Sequence, residues 1–259
     1  MLNWKTITVE QYQHVAKMLS SKDDEVDKLV SLVAYLHGKT LKQVDDMPTK
    51  KFSKLVAKVY PFLYSIPQVP IRASIKIKGK RYIPTFDVAR MKFGQYCEAM
   101  TFLKSKEVGV LPMENLHLIC ASIMQPFDWF KVKPNPGGDR WQIEWERRAN
   151  AILSAPFLHV YNYVVCFMVS IAGFHAKWGG LLLLPETEEE AKELLQNIDP
   201  FHDKYGWQYN AALIASERKI DIEEVWNMTT AQAYAYLDFI KAKSKKLAAD
   251  AREYSTKAK

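Results

Sequence analysis

The sequence predicts a mainly α-helical protein with repeated helix-turn-helix units and one small β-hairpin. First, residues 32–49 recur in the same register at residues 213–230, without a gap. Second, apolar residues return every three or four positions along most of the chain, which is the spacing of one face of a helix. Third, the apolar period changes to two in a single stretch, residues 71–83, and this period is typical of strands.

Each copy of the repeat is predicted to form a helix, a tight break, one turn of helix and a further helix. Apolar residues three positions apart share a face of that single turn: Leu41, Val44 and Met47 in the first copy, and Ile222, Val225 and Met228 in the second. One turn of helix is unstable alone, so this face must pack on neighbouring elements. Neither copy has the run of basic or amide side chains expected of a DNA-binding recognition helix.

Polar residues predict where the helices begin. Thr8 with Gln11 and Thr40 with Gln43 have the spacing of a capping box, in which two side chains bond each other's backbone amides. Asp221 with Glu224 has the same spacing. The predicted helix starts are Val9, Leu41, Ile222 and Ala231. A looser form of the capped start, an apolar residue before an aromatic or amide cluster, recurs at residues 7–12 and 91–96.

Proline positions and the change of period divide the chain into four predicted regions. Residues 1–66 form an N-terminal helical unit, and Pro61, Pro67 and Pro70 stop helix formation around its end, because proline interrupts helical hydrogen bonding. Residues 71–86 form the hairpin. Residues 87–185 form a central helical region with a long aromatic loop at 126–140, and residues 186–259 form a C-terminal helical unit with a basic tail.

The hairpin has one apolar and one basic face. Ile75 and Ile77 alternate with Lys76 and Lys78, and Gly79 is placed for the turn. An isolated hairpin is marginally stable in water, so its isoleucine face must lie on the helices or pair with another chain. The predicted intersubunit contacts are Ile75, Ile77 and Tyr82 of the hairpin, with Phe127, Trp129 and Phe130 of the aromatic loop. The loop aromatics could equally fold back on their own core.

Residues 152–174 contain 23 positions without a charged side chain, which is long enough to span a membrane. Pro156, His159, Asn162 and Ser170 interrupt the stretch. We therefore favour a fully buried central helix, or one shielded by neighbouring subunits, over a membrane span.

The formal net charge of +7 is concentrated in two places. Residues 72–81 hold five basic side chains and no acidic one, and residues 241–259 hold seven basic and two acidic side chains. The candidate contacts to DNA or to an acidic partner are Lys76, Lys78, Lys80, Arg81, Lys243, Lys245 and Lys246. A solvated sheet edge and a solvated helix end remain the simpler interpretation, because edge lysines also prevent strand pairing between molecules.

The sequence predicts no catalytic residue, metal site or cofactor. The six histidines never have the spacing of a metal site, and no phosphate-binding glycine loop is present. Glu144 and Glu146 could serve as an acid and a base, but nothing in the sequence indicates a pocket around them. Cys97, Cys120 and Cys166 are expected to be buried thiols of a reducing compartment. Residues 1–5 lack the apolar core of a signal peptide, so export by that route is not expected.

Residues 218–229, with the sequence RKIDIEEVWNMT, resemble the end of the small helical tail-assembly chaperones of tailed bacteriophages. The arrangement of residues 8–12, 75–82, 91–96 and 204–207 resembles proteins encoded among the head and tail genes of crAss-like and other Bacteroidetes-infecting phages. This resemblance implies a virion structural protein, assembled in the host cytoplasm, that forms an oligomeric ring in the neck or tail with itself and other phage proteins. Two alternatives are an assembly chaperone absent from the mature particle, and a small enzyme or regulatory binding protein.

Overall fold

The structure is a computed structural model that describes residues 3–64, 66–103, 111–126, 139–178 and 200–257. Over these residues it contains eleven α-helices and one three-stranded antiparallel sheet, which confirms the mainly α-helical prediction with a small β-element. The chain divides into two compact units. Unit 1 comprises Met1–Pro84, Leu111–Phe127 and Glu146–Val165, and unit 2 comprises Thr85–Val110, Asp128–Trp145 and Cys166–Lys259.

The eleven described helices are numbered in chain order. In chain order they are α1 (Val9–Leu19), α2 (Glu25–His37), α3 (Leu41–Asp45), α4 (Thr49–Tyr64), α5 (Phe93–Leu103), α6 (Leu116–Ile123), α7 (Asp139–Leu153), α8 (Phe157–Lys177), α9 (Pro200–Arg218), α10 (Ile222–Asn227) and α11 (Thr230–Lys257). A 3₁₀ turn, Met113–Asn115, leads into α6. The predicted starts of α1, α3 and α10 are confirmed, and α11 begins one residue earlier than predicted.

The four predicted regions are consecutive, whereas each unit is assembled from three separate stretches of chain. The predicted N-terminal region, residues 1–66, lies in unit 1, and the predicted C-terminal region, residues 186–259, lies in unit 2. The hairpin belongs to unit 1 as far as Pro84. The central region is divided because α6 and the first half of α8 return to complete the core of unit 1.

The capping boxes form where the sequence places them, with one difference. Thr8 and Thr40 each accept the backbone amide three residues later, and the glutamine at that position returns a bond to the cap. Asp221 instead accepts the amide of Glu223, at 2.8 Å from its Oδ1 atom.

The two copies of the repeat share one geometry. Gly38 after α2 and Lys219 after α9 both adopt the left-handed conformation, with φ of 63° and 54°. The next amide then reaches back five residues in each copy, over 2.8 Å from Lys39 N to the Ala34 carbonyl oxygen and over 3.1 Å from Ile220 N to that of Ala215. This is the Schellman ending of a helix. The single turn that follows buries one valine in each copy, Val44 in α3 and Val225 in α10.

Two helices of unit 1 begin side by side in an arrangement that we call paired helix starts. The amide of Val9 donates to the carbonyl of Ala155 at 3.0 Å, and the amide of Phe157 donates to the carbonyl of Ile7 at 3.0 Å. Thr8 and Pro156 thereby form an isolated antiparallel bridge. These bonds satisfy two of the amides that every helix start leaves without an internal partner.

Unit 2 contains paired helix starts of the same geometry at α5 and α11. The amide of Phe93 donates to the carbonyl of Met228 at 2.8 Å, and the amide of Thr230 donates to the carbonyl of Met91 at 2.7 Å. Lys92 and Thr229 form the bridge. The similar segments at residues 7–12 and 91–96 therefore have the same structural role in the two units.

The sheet belongs to unit 1 and has the order β1-β2-β3. Strands β1 (Ile75–Ile77) and β2 (Lys80–Pro84) form the predicted hairpin, and β3 (Met124–Pro126) pairs with the second half of β2. The sequence predicted helix through this last segment, because its apolar spacing continues that of α6. Instead Met124 adopts an extended conformation, with ψ of 139°, and ends α6.

Two helices differ from the prediction near a proline. The backbone of α4 stays helical past Pro61 to Tyr64, although this proline lacks the amide that would bond to the carbonyl of Ala57. Helix α8 begins directly after Pro156. It is the one helix in the described ranges with the length and composition to cross a membrane. Only 44% of its most apolar window is buried, so the described residues do not bury it fully, as the first of the two favoured alternatives predicted. Val169 on α8 is 69% exposed.

Candidate functional site

The hairpin buries three apolar side chains and exposes its basic ones. Ile75, Ile77 and Tyr82 are buried in the chain's own core. The predicted contact with another subunit is therefore not made by these three side chains, because folding already uses their surface. Lys76, Lys78, Lys80 and Arg81 all remain exposed.

The tip of the hairpin is a two-residue turn between Ile77 and Lys80, which are paired across the strands. Lys78 and Gly79 form this turn with φ of 46° and 82°. Positive φ at both central residues defines a type I′ turn, whose twist matches that of the flanking strands. Lys76 and Arg81 lie directly opposite each other behind the turn. We call residues 76–81 the basic hairpin tip.

The surroundings of the basic hairpin tip are also positively charged. Arg72 is exposed, and it is close enough to α8 that its charge adds to burial in lowering the pKa of His159. No acidic side chain occurs between residues 71 and 86. The hairpin therefore concentrates positive charge within unit 1.

The second basic region is the end of α11 in unit 2. Lys243 is paired with the carboxylate of Glu217 on α9, at 2.8 Å, so part of its charge is neutralised within the unit. Lys245 and Lys246 are exposed. All residues from 242 to 249 are exposed, including Leu247 at 60%. This part of α11 therefore has no packed face among the described residues.

The aromatic loop lies outside the described residues from position 127 onward, so the predicted contacts of Phe127, Trp129 and Phe130 are not assessed by the structure. The loop ends at α7, where Trp145 packs on Phe102 of α5 with ring centroids 5.2 Å apart. Both of these aromatic residues belong to unit 2.

Unit 2 buries a chain of polar side chains that sequence reasoning missed. The hydroxyl oxygen of Tyr96 lies 2.7 Å from Nε2 of His175 and 2.8 Å from the hydroxyl oxygen of Tyr234. We call these three residues the hydroxyl–imidazole chain. Helices α5, α8 and α11 each supply one member, and all three are buried. Aromatic rings enclose it, including Trp207 at 5.6 Å from Tyr96 and Phe174 at 5.0 Å from Tyr234.

Burial keeps the hydroxyl–imidazole chain uncharged near neutral pH. Burial raises the pKa of Tyr96 and of Tyr234 above the ordinary tyrosine value. Burial also lowers the pKa of His175 below 6.5. Neutral hydroxyl and imidazole groups can satisfy one another as donors and acceptors. This arrangement is suited to holding three helices together, and it lacks an activated nucleophile.

The other candidates for chemistry are separate from one another. Cys97 and Cys120 are buried free thiols, and Cys166 is a partly exposed free thiol. Burial raises the pKa of Cys97 and of Cys120, which disfavours the reactive thiolate. Glu146 is exposed and Glu144 is partly exposed. The described ranges contain no group of three or more histidine, cysteine or acidic side chains that could hold a metal ion.

No protein-family model, curated protein or solved structure matches this chain.

One sequence signal could have located the hydroxyl–imidazole chain. Metal-ligand spacing does not reveal His175, because this residue is a buried hydrogen-bonding group. Tyr96 and Tyr234 lie four positions after Lys92 and Thr230, the bridge residue of α5 and the first residue of α11. An aromatic hydroxyl one turn into each of two adjoining helices points toward their common core.

Proposed function

We propose that the protein is a non-catalytic structural subunit of a bacteriophage virion, which forms a ring in the neck or tail. The phage setting follows from the resemblance of residues 218–229 and of the wider layout. The assembly role is supported by the far part of α11, where residues 242–249 are all exposed. The chemistry of the described core supports the same role, because its buried titratable side chains favour their neutral forms.

The exposed part of α11 supports assembly for an energetic reason. An isolated helix of this length is marginal in water, and most helical stability in proteins comes from packing an apolar face. Phe239 and Leu247 are 54% and 60% exposed on this helix. Burying a side chain of this kind contributes about 2 kcal/mol. Contact with another subunit would supply the packing that the described residues do not provide there.

Light scattering of the purified protein, followed by negative-stain imaging, tests the oligomer. We expect a closed ring for the unaltered chain. A double variant, Phe239→Gln with Leu247→Gln, should shift the population toward monomer without loss of helical circular dichroism, because glutamine is a good helix former. The matched control is Lys245→Gln, which alters the same helix without removing apolar surface. A monomer at every concentration of the unaltered protein would disprove ring formation.

Mass spectrometry of purified particles of the phage that encodes the chain tests the virion role. We expect the protein at a fixed stoichiometry relative to known tail or neck proteins. Its absence from mature particles, together with its presence in infected cells, would instead favour the assembly chaperone.

A further inference from the structure

The basic hairpin tip presents three lysines in a fixed arrangement. The inward side chains Ile75 and Ile77 anchor β1 in the core of unit 1, so the strand cannot rotate. Lys76, Lys78 and Lys80 are exposed. Lys76 lies on β1 opposite Arg81, Lys78 is in the turn, and Lys80 lies on β2 opposite Ile77. The paired strands therefore hold the three charges around the tip of the hairpin, even though each lysine side chain can move.

Lys78 occupies a backbone conformation that does not suit lysine. Its φ of 46° lies in the left-handed region, where residues with a Cβ are disfavoured and where type I′ turns prefer asparagine before glycine. Backbone strain of this kind is found most often at functional sites. A lysine at this position costs stability and places a positive charge at the tip of the hairpin.

The three lysines make no ion pair with any residue that the structure describes. This differs from Lys243, which is paired with Glu217. Positive charges gathered at the tip of the hairpin attract a ligand that carries several negative charges.

We propose that the basic hairpin tip binds the phosphate backbone of nucleic acid, without reading its sequence. Lysine is depleted in protein–protein interfaces, whereas lysine and arginine supply many of the contacts that proteins make to phosphates. Between residues 76 and 81 the tip has no asparagine or glutamine, which recognise adenine, and no acidic side chain, which recognises cytosine. This inference does not depend on the virion role, because the purified protein should bind in either case.

Counterion release predicts how binding depends on salt. If Lys76, Lys78 and Lys80 each neutralise one phosphate, the slope of log affinity against log salt is about −2.7. Affinity should then fall about 40-fold between about 50 and 200 mM salt. Removing one lysine should reduce the slope by about 1.

Fluorescence anisotropy with a labelled DNA duplex of about 30 base pairs tests this proposal. The informative variant is Lys78→Asn, because asparagine before glycine suits the type I′ turn while the charge is lost. We expect this variant to bind several-fold more weakly and to melt at a higher temperature than the unaltered protein. Weaker binding with greater stability separates the loss of a phosphate contact from damage to the fold.

Two controls decide whether the hairpin itself is the site. Lys76→Gln with Lys78→Asn and Lys80→Gln should abolish most of the binding, whereas Lys245→Gln with Lys246→Gln on α11 should leave most of it. Unchanged affinity of the hairpin variant, or an equal loss in the α11 variant, would overturn the proposal. Polyglutamate is the comparison ligand: equally tight binding of this polymer would assign the tip to an acidic protein and not to nucleic acid.

Discussion

Units 1 and 2 contain the same paired helix starts but fill the space behind them differently. Residues 7–12 and 91–96 lie in equivalent positions, so that Tyr12 and Tyr96 both follow the bridge by four residues. In unit 1, Tyr12 stacks on Phe157 with ring centroids 3.8 Å apart. In unit 2, Tyr96 joins the hydroxyl–imidazole chain with His175. The paired helix starts thus support an apolar core in unit 1 and a hydrogen-bonded core in unit 2.

This difference shows which interactions are local and which depend on the whole unit. The bridge needs only backbone amides and carbonyls, so many side chains can surround it. The side chain that follows the bridge is Phe157 in unit 1 and Thr230 in unit 2, and both are fully buried. The first contributes apolar surface, whereas the second donates its hydroxyl to the carbonyl of Met91 at 3.0 Å.

The largest expected effect comes from substituting these two equivalent residues. Phe157→Ala should destabilise unit 1 by about 4 kcal/mol, because it leaves a cavity in a packed core. Thr230→Val should destabilise unit 2 by about 1 to 2 kcal/mol, because it removes one buried hydrogen bond. Hydrogen exchange read by mass spectrometry on peptides of each unit measures both losses. Equal losses in the two variants would contradict the distinction between the cores.

The paired tyrosines test the same distinction at the hydroxyl group alone. Tyr96→Phe should destabilise unit 2 by about 2 kcal/mol, because His175 and Tyr234 lose a buried partner together. Tyr12→Phe in unit 1 is the matched control and should change stability by less than about 0.5 kcal/mol, since its ring stacking is retained. Urea denaturation of the two variants provides the comparison. A larger loss for Tyr12→Phe would show that the stacked core also depends on a hydroxyl.

Acidification should destabilise both units, and the single substitution His175→Gln should reduce this loss of stability in unit 2. Burial holds the pKa of His175 below 6.5, so the unfolded chain takes up a proton before the folded chain does. Stability is therefore complete above about pH 6.5 and decreases as the pH falls toward the folded-state pKa. His175→Gln should flatten this dependence for unit 2 in exchange measurements between about pH 7 and 5.

Unit 1 serves as the internal control for the pH experiment. Burial also lowers the pKa values of His37, His117 and His159, so unit 1 should keep its acid sensitivity in the His175→Gln variant. An unchanged pH dependence of unit 2 would show that His175 is not the group responsible.

The smallest expected effect concerns the left-handed residue of the repeat. Lys219→Gly should stabilise the second copy by about 1 kcal/mol, because glycine adopts positive φ without steric cost. Gly38→Lys should destabilise the first copy by about 1 kcal/mol. A Cβ atom at Gly38 would meet nothing within 4 Å, so the change reports on backbone conformation alone. Thermal melting of the two variants should show opposite shifts, and shifts of the same sign would contradict this account.

Local features of the fold could be predicted from the sequence because their signals are local. Thr8 and Thr40 cap helices through residues only three positions away. Alternation at Ile75 and Ile77 predicted β1 because a strand places successive side chains on opposite faces. Val44 and Val225 belong to apolar residues spaced three apart, and this spacing predicted the single helical turn of each repeat, because residues three apart share one face of a helix.

Long-range features could not be predicted, because nothing near them in the chain indicates their partners. The bond between Thr230 and Met91 joins residues 139 positions apart. Strand β3 was missed because Met124 is compatible with a helix until β2 provides hydrogen-bonding partners. Of the candidate site, the exposed lysines were predicted from charge alone, but the left-handed conformation of Lys78 depends on how Ile77 and Lys80 pair across the strands.

The division of α8 between the two units constrains how the protein can be made. Residues Phe157–Val165 complete unit 1, and the same helix continues into unit 2 from Cys166. Unit 1 therefore cannot finish folding until its last segment has left the ribosome, although its first helices are synthesised much earlier. Late closure of this kind slows folding and leaves apolar surface exposed during translation. No single cut in the gene separates one unit from the other, because the stretches of the two units alternate along the chain.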